Sequence, residues 1–101
     1  MIALNDCILV QINYADEMNT KQLKTLAAIF KDPVSKSIEW QAIENLLKSA
    51  GAQVIEGNGS RVRFDKEGVI AAFHRPHPAK EAKPYQVKDA RRFLIQIGVT
   101  P

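Results

Sequence analysis

Cysteine is almost absent from this sequence, since Cys7 is the only one among 101 residues. A single cysteine cannot close an intramolecular disulfide, and no group of Cys and His residues has zinc-finger spacing. This excludes a disulfide-stapled fold and favours a reducing compartment. The apolar stretch at 8–10 is short, has no Lys or Arg before it and ends at Gln11, so no secretory signal is predicted.

Long apolar runs are also absent, and none approaches the roughly 20 residues that a membrane-spanning helix requires. Internal repeats and low-complexity tracts are missing as well. Apolar residues make up 46% of the chain and charged residues 25%, which excludes a disordered or fibrous protein. The chain is therefore expected to form one small soluble domain with a modest core.

Charge is unevenly distributed along the chain, whose formal net charge is +3. Residues 1–56 hold five Lys against seven acids, a net charge of −2. Residues 57–101 hold nine bases against four acids, a net charge of +5. The C-terminal half is thus the candidate surface for a polyanion, although a basic excess of this size is also typical of an ordinary solvated face.

Apolar periodicity predicts three helices. The first covers 19–31 and ends at Asp32-Pro33, and the second covers about 40–50, with Gly51 suited to its C-terminal cap. In the second helix Glu44 and Lys48 lie off the apolar stripe as an i, i+4 pair. The last helix is expected at about 86–97.

Short strands are predicted between the second and third helices, at about 52–56, 60–65 and 69–74. The segment 61–64 alternates basic and apolar residues, whereas 69–73 is continuously apolar, as is typical of a central strand. The proline-containing segment 74–84 is expected to be a loop. The predicted fold class is α+β, with the order α-β-β-β-α and an extra helix at the N-terminal side.

The first seventeen residues fit this plan poorly. Residues 7–14 could add an edge strand, or residues 1–17 could be an appendage that precedes a single domain at 18–101. A natural start at Met18 favours the appendage.

Residues 37–98 resemble the HicA family of bacterial toxins. The resemblance lies in four elements that share the family's order and spacing: Trp40-x-x-Ile43-Glu44-x-Leu46-Leu47-x-x-x-Gly51-Ala52, then Gly59-Ser60, then His74-Arg75-Pro76-His77-Pro78, then Leu94-x-x-x-Gly98. It implies a compact αβββα fold of the double-stranded-RNA-binding type. It also implies a cytoplasmic mRNA interferase that uses no metal or other cofactor and is neutralised by a HicB-like antitoxin protein.

The family pattern is broken at one position. In the family, the strand after the Gly-Ser turn carries a histidine held to be catalytic, but Arg61-Val62 follow the turn here. Arginine stays protonated and cannot act as a general base at neutral pH, although it can bind phosphate and stabilise transition-state charge. RNA binding is therefore compatible with the sequence, whereas hydrolysis needs another base.

His74 and His77 are the candidates for that role. Cleavage through the neighbouring 2′-hydroxyl needs a base and an acid, and histidine suits both functions. His77-Pro78 matches the family's His-Pro pair, so His77 ranks first and His74 second. A structural role for one of them is an alternative, and two imidazoles without a third ligand do not make a zinc site.

Five arginines are the candidate RNA ligands: Arg61, Arg63, Arg75, Arg91 and Arg92. They could form one surface for A-form RNA, which proteins recognise through shape, phosphates and 2′-hydroxyls. Lys88 is better interpreted as solvated, and Trp40 with the phenylalanines at 64, 73 and 93 as core. A second hypothesis is a binding module for RNA or an antitoxin that has lost catalysis along with the family's histidine.

Overall fold

The computed structural model describes residues 18–101, so the alternatives for residues 1–17 lie outside the described residues. Three helices and three strands follow one another as α1 (Thr20–Ile29), α2 (Trp40–Ser49), β1 (Gln53–Glu56), β2 (Arg61–Lys66), β3 (Val69–His74) and α3 (Pro84–Gln96). The predicted α+β order is confirmed. No helix in this part of the chain is long and apolar enough to cross a membrane.

Helix boundaries follow local capping. At the start of α1 the Asn19 side chain accepts from the Gln22 amide at 2.8 Å, while the Gln22 side chain accepts from the Asn19 amide at 3.1 Å. Helix α3 begins two residues before its predicted start because Pro84 suits the first turn, where no intrahelical N–H bond is needed. Gly51 and Gly98 follow α2 and α3 with positive φ, as the sequence predicts.

The strands form one antiparallel sheet in the order β1-β2-β3. The prediction that 69–73 is a central strand is wrong, because β2 is central and β3 lies at an edge. β3 carries apolar residues on both of its faces. Phe73 lies on the core face, whereas Ile70 lies on the opposite face and is 53% exposed.

The core lies on one face of the sheet, beneath the helices. Trp40 at the start of α2 contacts Phe73 and Phe64, with ring centroids 5.0 and 6.2 Å apart, and these two phenylalanines lie 5.7 Å from each other. Val87, Phe93 and Leu94 of α3 belong to the same buried cluster. Tilted and edge-on aromatic pairs of this kind add to the free energy of apolar burial.

The segment after β3 is tied to the domain at several points, although it carries no periodicity. The Arg75 amide donates to the Ser60 carbonyl at 2.9 Å, and farther on the Ala82 amide donates to the Ile38 carbonyl at 2.8 Å. The Trp40 amide in turn donates to the Lys80 carbonyl at 2.9 Å. The segment therefore crosses the beginning of α2 before it enters α3.

Arg91 of α3 anchors the extra helix α1. Its Nε and Nη2 donate to the Ile29 carbonyl at 2.9 and 2.7 Å, and Nη2 also donates to the Lys31 carbonyl at 2.9 Å. Its Nη1 lies 3.3 Å from the Asp32 carboxylate, and its guanidinium lies 5.8 Å from the Phe30 ring centroid. A cation here satisfies carbonyls that have no intrahelical partner, at the negative end of the helix dipole.

We expect Arg91→Ala to lower the free energy of unfolding by about 1–3 kcal/mol, the range for losing hydrogen bonds from a charged donor. Urea unfolding measures this loss, and amide hydrogen exchange should rise most in α1. Arg92→Ala is the matched control, since that side chain is 71% exposed and its ion pair within residues 18–101 is with Asp89, three residues away. Equal losses in the two variants would contradict the anchoring role.

Candidate functional site

The face of the sheet opposite the helices is open and basic. Arg61 pairs directly across from His74, and Arg63 pairs across from Ala72. Paired residues on neighbouring antiparallel strands project on the same side, so the two arginines and His74 share this face. All three side chains are exposed. The alternation of 61–64 placed Val62 and Phe64 in the core and therefore turned both arginines outward.

A shallow groove of about 620 Å³ occupies one end of this open face. It is lined by the β1–β2 turn and by the facing parts of β2 and β3: Gly57, Asn58, Arg61, Val62, Arg63, Ala72, Phe73 and His74. Within the described residues, neither Arg61 nor Arg63 forms an ion pair with a carboxylate. Their charges are therefore available to an external anion.

His74 is fixed from behind by α3. The buried Gln86 side chain donates to the His74 carbonyl at 2.7 Å and accepts from the Lys83 amide at 2.9 Å. The hydrogen bond from Gln86 gives the His74 carbonyl, at the edge of the sheet, a partner and holds the end of β3. The backbone of His74 is thus held by pairing with Arg61 of β2 and by the hydrogen bond from Gln86 of α3, with the imidazole on the open face.

Arg75 is directed to the other side of the sheet, where two glutamates bind it. Its Nε lies 3.0 Å from Glu44 Oε1, and its Nη1 lies 2.7 Å from Glu56 Oε1. Its Nη2 reaches the second oxygen of each carboxylate, at 3.3 Å for Glu44 and 2.9 Å for Glu56. Both hydrogen-bonded carboxylates raise the pKa of Arg75, Glu56 more than Glu44. This cation is already neutralised.

Glu44 is the buried member of that network, with a side chain only 7% exposed. Burial alone would raise the pKa of its carboxyl, but hydrogen bonds from Arg75 and Trp40 and the charges of Arg75 and Lys48 outweigh it, so the pKa is lowered. The Trp40 indole Nε1 donates to Glu44 Oε1 at 3.0 Å. Glu44 therefore connects the start of α2 to the segment after β3.

The remaining candidates are dispersed. Arg92 lies beside the β3 edge, in a groove of about 220 Å³ that Ile70 and Ala72 also line, so it borders the open face. Arg91 is on the helical side at the end of α1. His77 is exposed in the segment after β3. The structure thus unites Arg61, Arg63 and His74, with Arg92 nearby, and it separates Arg75 and Arg91 from them.

Glu44, Glu56 and Gln86 were not identified from the sequence. The sequence placed Glu44 off the apolar stripe of its helix, as an i, i+4 pair with Lys48, and that pair does exist at 3.5 Å. A buried tryptophan needs a partner for its indole N–H, so an acid at i+4 from Trp40 was an available signal. Glu56 and Gln86 meet their partners only through the tertiary fold, which no local pattern reveals.

The open face can bind phosphate and move protons. Guanidinium groups bind phosphate oxygens and stabilise developing charge, and an imidazole can accept or donate a proton. In residues 18–101, no three His, Cys, Asp or Glu side chains cluster in a way that could hold a metal ion. The geometry is that of a small α+β domain whose open sheet face carries exposed arginine side chains.

Comparison with protein families identifies this domain. The family model described as the HicA toxin of bacterial toxin-antitoxin systems matches residues 40–99, which is more than half of the chain. The chain therefore belongs to the HicA toxin family, and α1 lies outside the matched segment. Searches of curated proteins and of solved structures found no match.

The Glu44–Arg75–Glu56 network should be a main source of stability. Arg75→Met leaves Glu44 buried without its principal cation, so we expect the free energy of unfolding to fall by roughly 3 kcal/mol, near the lower end for breaking a buried ion pair. Chemical denaturation measures the effect. Arg63→Met is the control, and a change within about 0.5 kcal/mol is expected for this exposed side chain. Similar losses in both variants would contradict the network's importance.

The same network predicts a pH dependence. The pKa of Glu44 and that of Glu56 are both lowered from 4.5, the latter chiefly by its hydrogen bond from Arg75. Groups with a depressed native pKa stabilise the fold above their unfolded pKa, and that contribution is lost as the pH falls through the native pKa. Stability should therefore decline below pH 4.5, and the decline should be smaller in Glu44→Gln.

Denaturation midpoints measured from neutral to acidic pH test this dependence. Glu67→Gln is the control, since Glu67 is an exposed turn residue. It should show the same acid-induced loss as the wild type. An undiminished loss in Glu44→Gln would show that the acid sensitivity arises elsewhere.

Proposed function

We propose that this HicA family member is a toxin that binds mRNA on the open face of its sheet and cleaves it without metal. The observation that carries the proposal is the shared position of Arg61, Arg63 and His74 on one exposed face. Two unpaired guanidinium groups suit the phosphate backbone, and an adjacent imidazole suits proton transfer. In cleavage, the 2′-hydroxyl of the RNA would lose its proton to the base and attack the adjacent phosphorus. The bond from phosphorus to the 5′-oxygen would break, leaving a 2′,3′-cyclic phosphate and a 5′-hydroxyl that takes up a proton.

The catalytic assignment follows from the same geometry. We rank His74 before His77, reversing the order that the sequence favours, because His74 lies directly across from Arg61. A phosphate bound by Arg61 would lie within reach of that imidazole. His77 remains the second candidate, since it is exposed and follows His74 by three residues, in the segment after β3.

The proposed partner is a HicB-like antitoxin acting in the cytoplasm, where mRNA is available. Family membership supports a cognate antitoxin in general. Arg61 and Arg63 expose positive charge that an antitoxin would need to cover in order to exclude RNA. Neutralisation by occupation of the open face requires no rearrangement of the toxin.

A binding module without nuclease activity is the second candidate function. It is favoured by Arg61-Val62, which occupy the place where the family's strand carries its histidine. Such a protein would retain the basic face and its antitoxin, and would affect cells by sequestering RNA. The two functions differ in whether RNA is broken.

Induced expression in a bacterial host, with and without a HicB-like antitoxin, tests the proposal. Expression of the toxin alone should arrest growth and fragment mRNA, and co-expression should prevent both. Purified protein should cleave RNA equally well in excess EDTA. Growth arrest with intact RNA would favour the binding module, and loss of cleavage in EDTA would contradict the metal-independent mechanism.

Histidine variants test the assignment of the base. His74→Ala should reduce the cleavage rate by roughly 10²–10⁴-fold, the usual contribution of a positioned acid or base. His77→Ala should have a smaller effect, and both variants should keep nearly the wild-type affinity for RNA. A larger loss in His77→Ala would reverse the ranking, and unchanged rates in both would remove histidine from the mechanism.

A further inference from the structure

A second basic surface lies on the helical side, outside the segment that matches the family. Residues 18–31, which include all of α1, contain three lysines and no acid. Within residues 18–101, Lys21, Lys24 and Lys31 form no ion pair with a carboxylate. The net charge of residues 1–56 is negative, so this local concentration of positive charge is concealed in the sum.

A groove of about 310 Å³ runs along α1 where it meets α2 and the connecting segment. Its polar lining comes from Lys21, Lys24, Thr25, Ser35, Ser37 and Glu39, and its apolar lining comes from Ala28, Ile38 and Ala42. The Thr25 hydroxyl already donates to the Lys21 carbonyl at 3.0 Å, so the donors that face a ligand are the lysine ammonium groups and the serine hydroxyls. Such a lining suits an acceptor-rich ligand. Glu39 is the one acid among the lining residues.

The serine pair has donor capacity left over. The two hydroxyl oxygens lie 3.2 Å apart, and the Ser37 amide donates to the Ser35 hydroxyl oxygen at 3.2 Å. One hydrogen bond between two hydroxyls uses one of their two protons. The other proton is available to a ligand in the groove.

Helix α1 is also rigidly held, which distinguishes its lysines from those on a mobile tail. Leu26 and Ile29 are buried in the core. Arg91 binds the carbonyls at the C-terminal end of the helix. Lys21 and Lys24 are therefore presented at a fixed spacing of one helical turn.

We propose that the α1–α2 groove is a second RNA-binding site that contacts backbone phosphates through Lys21 and Lys24. The inference rests on the proposed RNA-binding function and extends it to a surface outside the family segment. Lysine, serine and threonine are typical phosphate ligands. Protein interfaces are depleted of lysine and need an apolar or aromatic anchor, whereas lysines and hydroxyls line this groove and its large apolar lining residue, Ile38, is only 8% exposed.

RNA affinity measured as a function of salt tests this site. The ligand is a fluorescent single-stranded oligoribonucleotide with 2′-O-methyl groups, which removes the attacking hydroxyl and prevents cleavage. Each phosphate contact contributes about 0.7 to the slope of log affinity against log salt for single strands. Lys21→Gln with Lys24→Gln should lower the magnitude of that slope by roughly 1.4, and Glu39→Gln should strengthen binding.

The matched control removes the same charge elsewhere. Lys80→Gln with Lys88→Gln changes two exposed lysines outside the groove and should alter the slope by far less. An equal effect of the two double variants would mean that only net charge matters, and no effect of either would exclude contact at α1. Either result overturns the second site.

Other outcomes separate this inference from the proposed function. If the wild-type protein does not bind the oligonucleotide, the proposed RNA-binding function fails together with the second site. If binding depends on Arg61 and Arg63 but not on Lys21 and Lys24, the function stands and the second site is wrong. If the lysine variants weaken only antitoxin binding, the groove is a protein interface and the proposal is overturned.

Discussion

The buried carboxylate of Glu44 is the interaction on which the arrangement of this domain depends. It accepts hydrogen bonds from the Trp40 indole at the beginning of α2 and from Arg75 immediately after β3. Arg75 extends the connection to Glu56 at the end of β1. The network of Glu44, Arg75 and Glu56 thus joins α2, the first helix in the segment that matches the family, to both edge strands. Without Arg75, the carboxylate would remain buried with only the nearby Lys48 as a cation, so the end of β3 is restrained by the energetic cost of an uncompensated charge.

This network also determines which charges are available for function. Arg75 is neutralised by two carboxylates, and Arg91 is occupied by backbone carbonyls at the end of α1. Arg61 and Arg63 remain unpaired in the described part of the chain because β2 alternates and its other face is filled by Val62 and Phe64. Net charge alone therefore overstates the number of arginines whose charge is available to an external anion, because the fold neutralises or occupies some of them. His74 joins this face because β3 continues one residue beyond Phe73.

The order of helices and strands could be predicted from the sequence because it depends on local periodicity and on turn residues such as Gly51 and Gly98. The outward direction of Arg61 and Arg63 was predictable for the same reason. The edge position of β3 was not, since its continuously apolar sequence is typical of a central strand and therefore predicted the wrong place in the sheet. Nor were the partners of Arg75 and Arg91 predictable, because Glu44 and Ile29 lie 31 and 62 residues away in the chain. Side-chain contacts between residues so far apart in the chain produce no periodic pattern in the sequence.

The most direct test of RNA binding on the open face is an NMR titration of the ¹⁵N-labelled protein with the 2′-O-methyl oligoribonucleotide. If RNA binds on the open face, the backbone amides of Arg61, Arg63 and His74 should undergo the largest chemical-shift changes on the sheet. The amides of Val62 and Phe64, whose side chains face the core, should respond less. Shifts should weaken at high salt, as expected for phosphate contacts. Saturable binding that leaves the amides of β2 and β3 unshifted would show that RNA binds elsewhere and would contradict the central claim.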